Sequence, residues 1–227
     1  MRQNLLIDAD DTLWENNIYF EQAFDRFLEF LGHSSMGAEQ IRNVLDEIEL
    51  ANIKVNGYGA ANFAKNLCQC YNRLAERDIQ ASDRNRIMLL AEDIMRQPIE
   101  LIEGVDSTLE YLANRHNLTL FTKGHPEEQK LKVDRSGLSA YFGHTAIVKE
   151  KDAEAYHCLV RERSLEPAST WMVGNSPKSD INPALAANLN AVFIPHSRTW
   201  HLEKTDLATG PGQLLILSQF SDLAAHF

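Results

Sequence analysis

Apolar residues run unbroken from Leu5 to Ile7 and stop at Asp8. This is the pattern of a short strand covered on both faces that ends on an acid. From Ile18 the period changes. Phe20, Ala23, Phe24, Phe27, Leu28 and Leu31 recur at spacings of three and four, as do Ile41, Val44, Leu45 and Ile48. Phe63, Leu67, Cys70, Tyr71 and Leu74 make a third such set, and Ile87, Leu90, Ala91 and Ile94 a fourth. Spacing of this kind places one stripe of each segment on a single helical face, so four helices are predicted. Gly32, Gly37, Gly57 and Gly59 punctuate them.

After Pro98 short apolar runs alternate with helical patterns. The runs are HNLTLFTKG, TAIVKEKD, STWMVGNSPKSD and LNAVFIPH, with GQLLIL near the end. Between them Val105–Arg115, Glu127–Ser136, Asp152–Ser164 and Ser179–Ala187 read as helices, and SDLAAHF as a terminal one. Strand–helix alternation predicts a parallel sheet with helices on both faces, a doubly wound α/β fold. The chain therefore divides into an α/β core, residues 1–14 and 99–227, and an inserted all-helical module, residues 15–98. Its 227 residues suffice for both.

Composition narrows the function. With 44% hydrophobic and 24% charged residues the chain has the balance of a globular protein. A net charge of −10 argues against a nucleic-acid partner, which requires clustered basic side chains. Three Cys without paired CxxC units do not form a disulfide or zinc framework. The first residues are too poor in apolar side chains for a signal peptide, and no apolar run reaches membrane-spanning length. A cytoplasmic protein with no membrane partner is expected.

Ligands of doubly wound sheets bind at the C-terminal ends of the strands. The polar residues at those predicted ends are Asp8, Asp10 and Thr12; Thr122, Lys123 and Gly124; Lys149 and Lys151; and Asn175, Ser176 and Asp180. Singly, each has an ordinary alternative as a turn residue or a solvated charge. Together they line one rim.

The arrangement resembles the haloacid dehalogenase-like (HAD) superfamily over nearly the whole chain. LLIDADDTL matches an apolar strand followed by DxDxTL, and LTLFTKG a strand ending in Ser or Thr. KEKDAEAYHCL supplies a Lys at a helix start, and VGNSPKSD nearly matches an acidic GDxxxxD loop. In this family a helical insert after the first motif is a cap domain. The resemblance implies a Rossmann-like core and a phosphohydrolase using Mg²⁺. Asp8 would be the nucleophile and form an aspartyl-phosphate, and Asp10 the general acid and then base. Thr122 and the Lys123 backbone amide would bind the phosphoryl group, and one Lys would neutralise it. Lys151, directly before the predicted helix, is favoured over Lys149. The metal ligands implied are Asp8, the Asp10 carbonyl, Asn175 and Asp180.

Asn175 is the departure, since Asp is commoner there; an amide oxygen can ligate a cation but brings no charge. The presence of Asp10 favours phosphate esters over haloacids, because a departing halide needs no proton. A small phosphorylated metabolite is the expected partner. A phosphomutase, or a non-catalytic phosphate-ligand-binding protein, are the alternatives. Whether the chain is a monomer or a homodimer is not legible, and neither is the leaving group.

Overall fold

The computed structural model describes residues 2–227. The chain opens with β1 (Asn4–Ile7), then α1 (Asn17–Leu31), α2 (Ala38–Asn56), α3 (Ala60–Leu74) and α4 (Ala81–Arg96). It continues through α5 (Val105–Ala113), β2 (Asn117–Lys123), α6 (Pro126–Ser136), β3 (His144–Val148) and α7 (Ala153–Arg163). β4 (Thr170–Gly174), α8 (Asn182–Ala186), β5 (Asn190–Phe193) and β6 (Leu214–Ile216) complete it. Two compact units result, one of residues up to Asn17 with Ile99–Phe227 and the other Ile18–Pro98.

The first unit is built on a sheet of strand order β3-β2-β1-β4-β5-β6, every pair parallel. The order reverses beside β1, so the crevice at a topological switch point lies between the ends of β1 and β4. The apolar run of β1 is continuous because both faces are covered. Leu5 and Ile7 pack into a cluster with Val105, Leu109, Leu112 and Phe220 on one side. Leu6 points the other way, into a cluster with Phe121, Tyr156, Leu159 and Met172.

Residues 15–17, assigned from sequence to the helical insert, lie with this first unit. The Glu15 N–H donates to the Glu100 carbonyl at 2.9 Å and the Ile102 N–H to the Leu13 carbonyl at 3.0 Å. Two further expectations are corrected. The terminal SDLAAHF segment forms a 3₁₀ helix, Phe220–Ala225, rather than an α-helix. Its buried residues, Phe220 and Leu223, are three apart, which suits three residues per turn. The helix expected over Ser179–Ala187 is α-helical only from Asn182, after a π-type turn at Pro177–Ile181. There the Tyr156 hydroxyl donates to the Ser179 and Asp180 carbonyls at 2.9 and 3.1 Å.

The second unit is the four helices α1 to α4 around Phe24, Phe27, Leu45, Leu67, Tyr71 and Ile87. It buries two acids: Asp83, which accepts from Tyr71, Arg77 and the Gln80 N–H, and Glu49, which has a buried carboxylate oxygen without a hydrogen-bond partner. Burial pushes the Glu49 carboxyl up to about 7, with repulsion from Asp46 adding and Arg42 opposing. The folded state thus holds a proton that the unfolded state releases at lower pH. Stability from this group is lost as pH rises from the ordinary carboxylate range through 7. Glu49→Gln is expected to stabilise this unit by about 3 kcal/mol at pH 8 and hardly at all at pH 4. Chemical denaturation at the two pH values checks it, and equal effects at both would contradict it.

Candidate active site

Four strand ends of the first unit supply the site. Asp8 follows β1, and its N–H donates to the Val173 carbonyl of β4 at 2.9 Å, which fixes it at the switch point. Its side chain is buried against Lys151, whose ammonium donates to Asp8 Oδ1 and, at 2.8 Å, to Asp180 Oδ1. Lys151 sits just before Asp152, the N-cap of α7, whose carboxylate accepts from the Ala155 N–H at 2.9 Å. That cap turns the chain so that Lys151 faces inward and is only 2% exposed, whereas Lys149 is exposed. The geometry thus separates the two lysines that sequence left as rivals.

Burial raises the Asp8 carboxyl above its ordinary range, and the neighbouring Asp180 adds to this while Lys151 opposes it. The Lys151 ammonium is held charged: burial works against it, but Asp180 and Asp8 outweigh the burial. One cation therefore stands between two buried carboxylates, a cluster that is one positive charge short.

Asp180 is held by its own loop, with Oδ2 accepting from the Ser176 N–H at 2.9 Å. A Cβ on Gly174 would overlap the Asp180 carboxylate, so the glycine of VGN is what lets the acid approach the strand. Asn175 is buried beside it. Its Nδ2 donates to Thr199 Oγ1 at 2.8 Å, which leaves Oδ1 facing Thr12. The Thr12 hydroxyl lies 3.0 Å from Asp8 Oδ2 and 3.2 Å from Asn175 Oδ1. It has one proton for two acceptors, so oxygens there outnumber donors. Asp8, Asn175 and Asp180 thereby present hard oxygen atoms at adjoining strand ends, a donor set that fits Mg²⁺.

Thr122 is buried at the end of β2. Lys123 sends its ammonium to Ser179 Oγ and Glu203 Oε1, both at 2.8 Å. Glu203 is buried and also accepts from Ser176 Oγ at 2.6 Å. Although burial raises its carboxyl, the Lys123 charge and these donors bring it below the usual range. Asp10 is met by three donors: Trp14 Nε1, Gln129 Nε2 and the Lys132 ammonium. Burial would raise its carboxyl, but Lys132 above all turns the balance and lowers it.

Sequence reasoning passed over Asp11, Gln129, Lys132, Thr199 and Glu203. Asp11 takes a positive φ of 59° and accepts from the Asn16 and Asn17 N–H groups. Despite these bonds, burial pushes its carboxyl up to about 7. It comes near Glu15 and His196, their ligand atoms within 4.8 Å of one another. Glu15 accepts from His196 Nε2 at 3.3 Å.

Comparison with known proteins gives the family and the fold. The family model described as haloacid dehalogenase-like hydrolase matches residues 5–194. No curated protein matches. A haloacid dehalogenase-like family hydrolase of Xanthomonas campestris is similar at 29% identity and a TM-score of 0.85, over 99% of this chain and 90% of that one. A HAD hydrolase of Bacillus subtilis, solved bound to magnesium, shares the fold at 14% identity and a TM-score of 0.69, over 99% and 98%. So does an L-2-haloacid dehalogenase of Xanthobacter autotrophicus, at 13% identity and a TM-score of 0.67, over 99% and 98%. A first strand that ends on Asp8, a lysine buried against that acid and an acidic loop after β4 all fall within the 190 residues, 5 to 194, that the family model matches; the chain belongs to the haloacid dehalogenase-like hydrolases.

Proposed function

We propose that this hydrolase is a Mg²⁺-dependent phosphohydrolase that cleaves a small phosphate monoester through an aspartyl-phosphate on Asp8. The observation that carries the reading is Asp10, a second carboxylate beside the nucleophile. Expulsion of an alkoxide needs a proton, and expulsion of a halide does not. In this reading Asp10, which Lys132 holds ionised in the resting site, takes up a proton from water as the ester binds. An Asp8 carboxylate oxygen then attacks phosphorus as the ester P–O bond breaks, and Asp10 gives that proton to the departing oxygen. Asp10 then takes a proton from the water that attacks the aspartyl-phosphate, which restores both acids and releases phosphate.

Thr122 and the Lys123 backbone amide are assigned to the phosphoryl oxygens, and Lys151 neutralises charge developing on them. Asp8, the Asp10 carbonyl, Asn175 and Asp180 are assigned as the metal ligands. A bound Mg²⁺ would supply the positive charge that the Asp8–Lys151–Asp180 cluster lacks. The neutral Asn175 takes nothing from the nucleophile or from the acid–base residue, so it favours a working site with a weaker metal hold. No helix among the described residues is long and apolar enough to cross a membrane. The partner assigned is a small phosphorylated metabolite.

The test compares turnover of p-nitrophenyl phosphate with release of halide from 2-chloropropionate, each with Mg²⁺ and with chelator. Phosphate release only with Mg²⁺, and no halide, is the expected result. Halide release without phosphate release would overturn the reading. Asp10→Asn is expected to slow phenyl phosphate by about 10²-fold or more and p-nitrophenyl phosphate much less. Rates on the two esters check it, and equal losses would remove Asp10 from the acid role.

A further inference from the structure

Asp10 is gripped by residues to which nothing so far gives a part in the chemistry. Gln129 and Lys132 stand three apart on α6, on one helical face. Gln129 Nε2 donates to Asp10 Oδ2 at 2.8 Å and to the Lys123 carbonyl at 2.9 Å. The Lys132 ammonium reaches Asp10 Oδ1 and Oδ2 at 2.7 and 2.6 Å and Asn16 Oδ1 at 3.1 Å. Trp14 Nε1 donates to Asp10 Oδ1 at 2.8 Å. Both oxygens of Asp10 are thus engaged from two sides, which leaves its carboxyl one orientation.

The grip is built into the backbone as well. Gly124 has φ +146°, and a Cβ there would come within 2.7 Å of Gln129 Nε2. The glycine after Lys123 therefore clears the path by which Gln129 reaches Asp10. Lys132 is only 16% exposed at its side chain, so its ammonium has given up most of its water for this contact. A surface ion pair, worth little to stability, would not require such burial.

We propose that Lys132, assisted by Gln129, is a positioning residue that reaches the reaction only through Asp10. It fixes the carboxyl where a proton passes to and from the scissile oxygen. The inference rests on the phosphohydrolase reading above, in which Asp10 is the acid and base. Proton transfer within a bound complex depends steeply on placement, and a misplacement of about 1 Å costs about 10²-fold.

The experiment is a double-mutant cycle on the full chain with saturating Mg²⁺, using phenyl and p-nitrophenyl phosphate. Lys132→Met keeps the apolar stem and removes the charge. It is expected to lower kcat for phenyl phosphate by about 10-fold or more, with a smaller loss on the nitrophenyl ester and little change in KM. Lys132→Arg, which can serve both oxygens at once, should restore part of the loss. In an Asp10→Asn background Lys132→Met should cost nothing further on the nitrophenyl ester.

A multiplicative loss in that background would show that Lys132 acts independently of Asp10 and overturn the proposal. So would a rise in KM with kcat unchanged, which would place Lys132 on the substrate. If Lys132→Met does not fold, Gln129→Leu takes its place in the same cycle, with the same two outcomes. Leaving-group dependence in Asp10→Asn without any in the α6 variants would overturn this inference alone. Absence of phosphate release from the unmutated protein would overturn both readings.

Discussion

An Asp8→Asn protein is expected to fold normally and to lose hydrolysis of phosphate esters by about 10⁴-fold or more. The amide keeps the shape of the side chain but offers no carboxylate oxygen to attack phosphorus, so the aspartyl-phosphate of the proposed reaction could not form. The stability expectation has the opposite sign from that for most buried charges. Burial and Asp180 raise the Asp8 carboxyl, so its ionised form costs folding free energy above the ordinary carboxylate range. Replacing it by a neutral amide removes that cost, while Lys151 keeps its bond to Asp180 Oδ1 at 2.8 Å. The melting temperature at pH 8 in chelator should therefore equal or exceed that of the unmutated protein. Intact folding with a tenth of the activity retained would take the nucleophile role from Asp8. Lost activity with a lower melting temperature would leave a structural role in its place.

Lys151→Ala is the second large effect, and it separates catalysis from folding by its response to metal. Without the ammonium two buried carboxylates face each other with no cation between them. Removing one partner of such a cluster costs about 3–5 kcal/mol. The variant should melt well below the unmutated protein in chelator. Mg²⁺ should recover more of its melting temperature than it adds to the unmutated protein, because it restores the missing charge. Activity at saturating Mg²⁺ should still fall by about 10²-fold or more, since in the proposed reaction Lys151 supplies the charge facing the transferring phosphoryl group. Lys149→Ala, at an exposed position, should leave both properties nearly unchanged. The reverse ranking of the two lysines would return the role to Lys149.

Both expectations depend on a cluster whose members were unequally visible in the sequence. Asp8 and Asp10 were legible because they are local. Three apolar residues fix a strand covered on both faces, and the chain itself places the acids at its end. Thr122, at the end of one apolar run, and Asn175 and Asp180, in the loop after another, were legible for the same reason. The four helical stripes between Ile18 and Pro98 were equally plain, since the 3.6-residue period survives any tertiary arrangement. The boundary near residue 15 was not, because what ties Glu15 to the first unit is a hydrogen bond to Glu100, far away in sequence.

Other features had no local signal at all. Lys149 and Lys151 are of one residue type, two positions apart. What distinguishes them is the turn set by the Asp152 cap and the two carboxylates waiting inside it. Lys132 is 122 residues from the acid it holds, and Thr199 is 24 from the amide it orients. Their chemistry is ordinary for surface residues, and only packing gives them partners.

The sequence by itself determined the strand–helix order, the helical insert and the residues at each strand end, because backbone periodicity and strand termination are local properties. Only the tertiary structure decided which lysine meets Asp8, which way the Asn175 amide faces and what grips Asp10. Those choices are made by charge pairing and desolvation between segments far apart in the chain, and no local pattern encodes them.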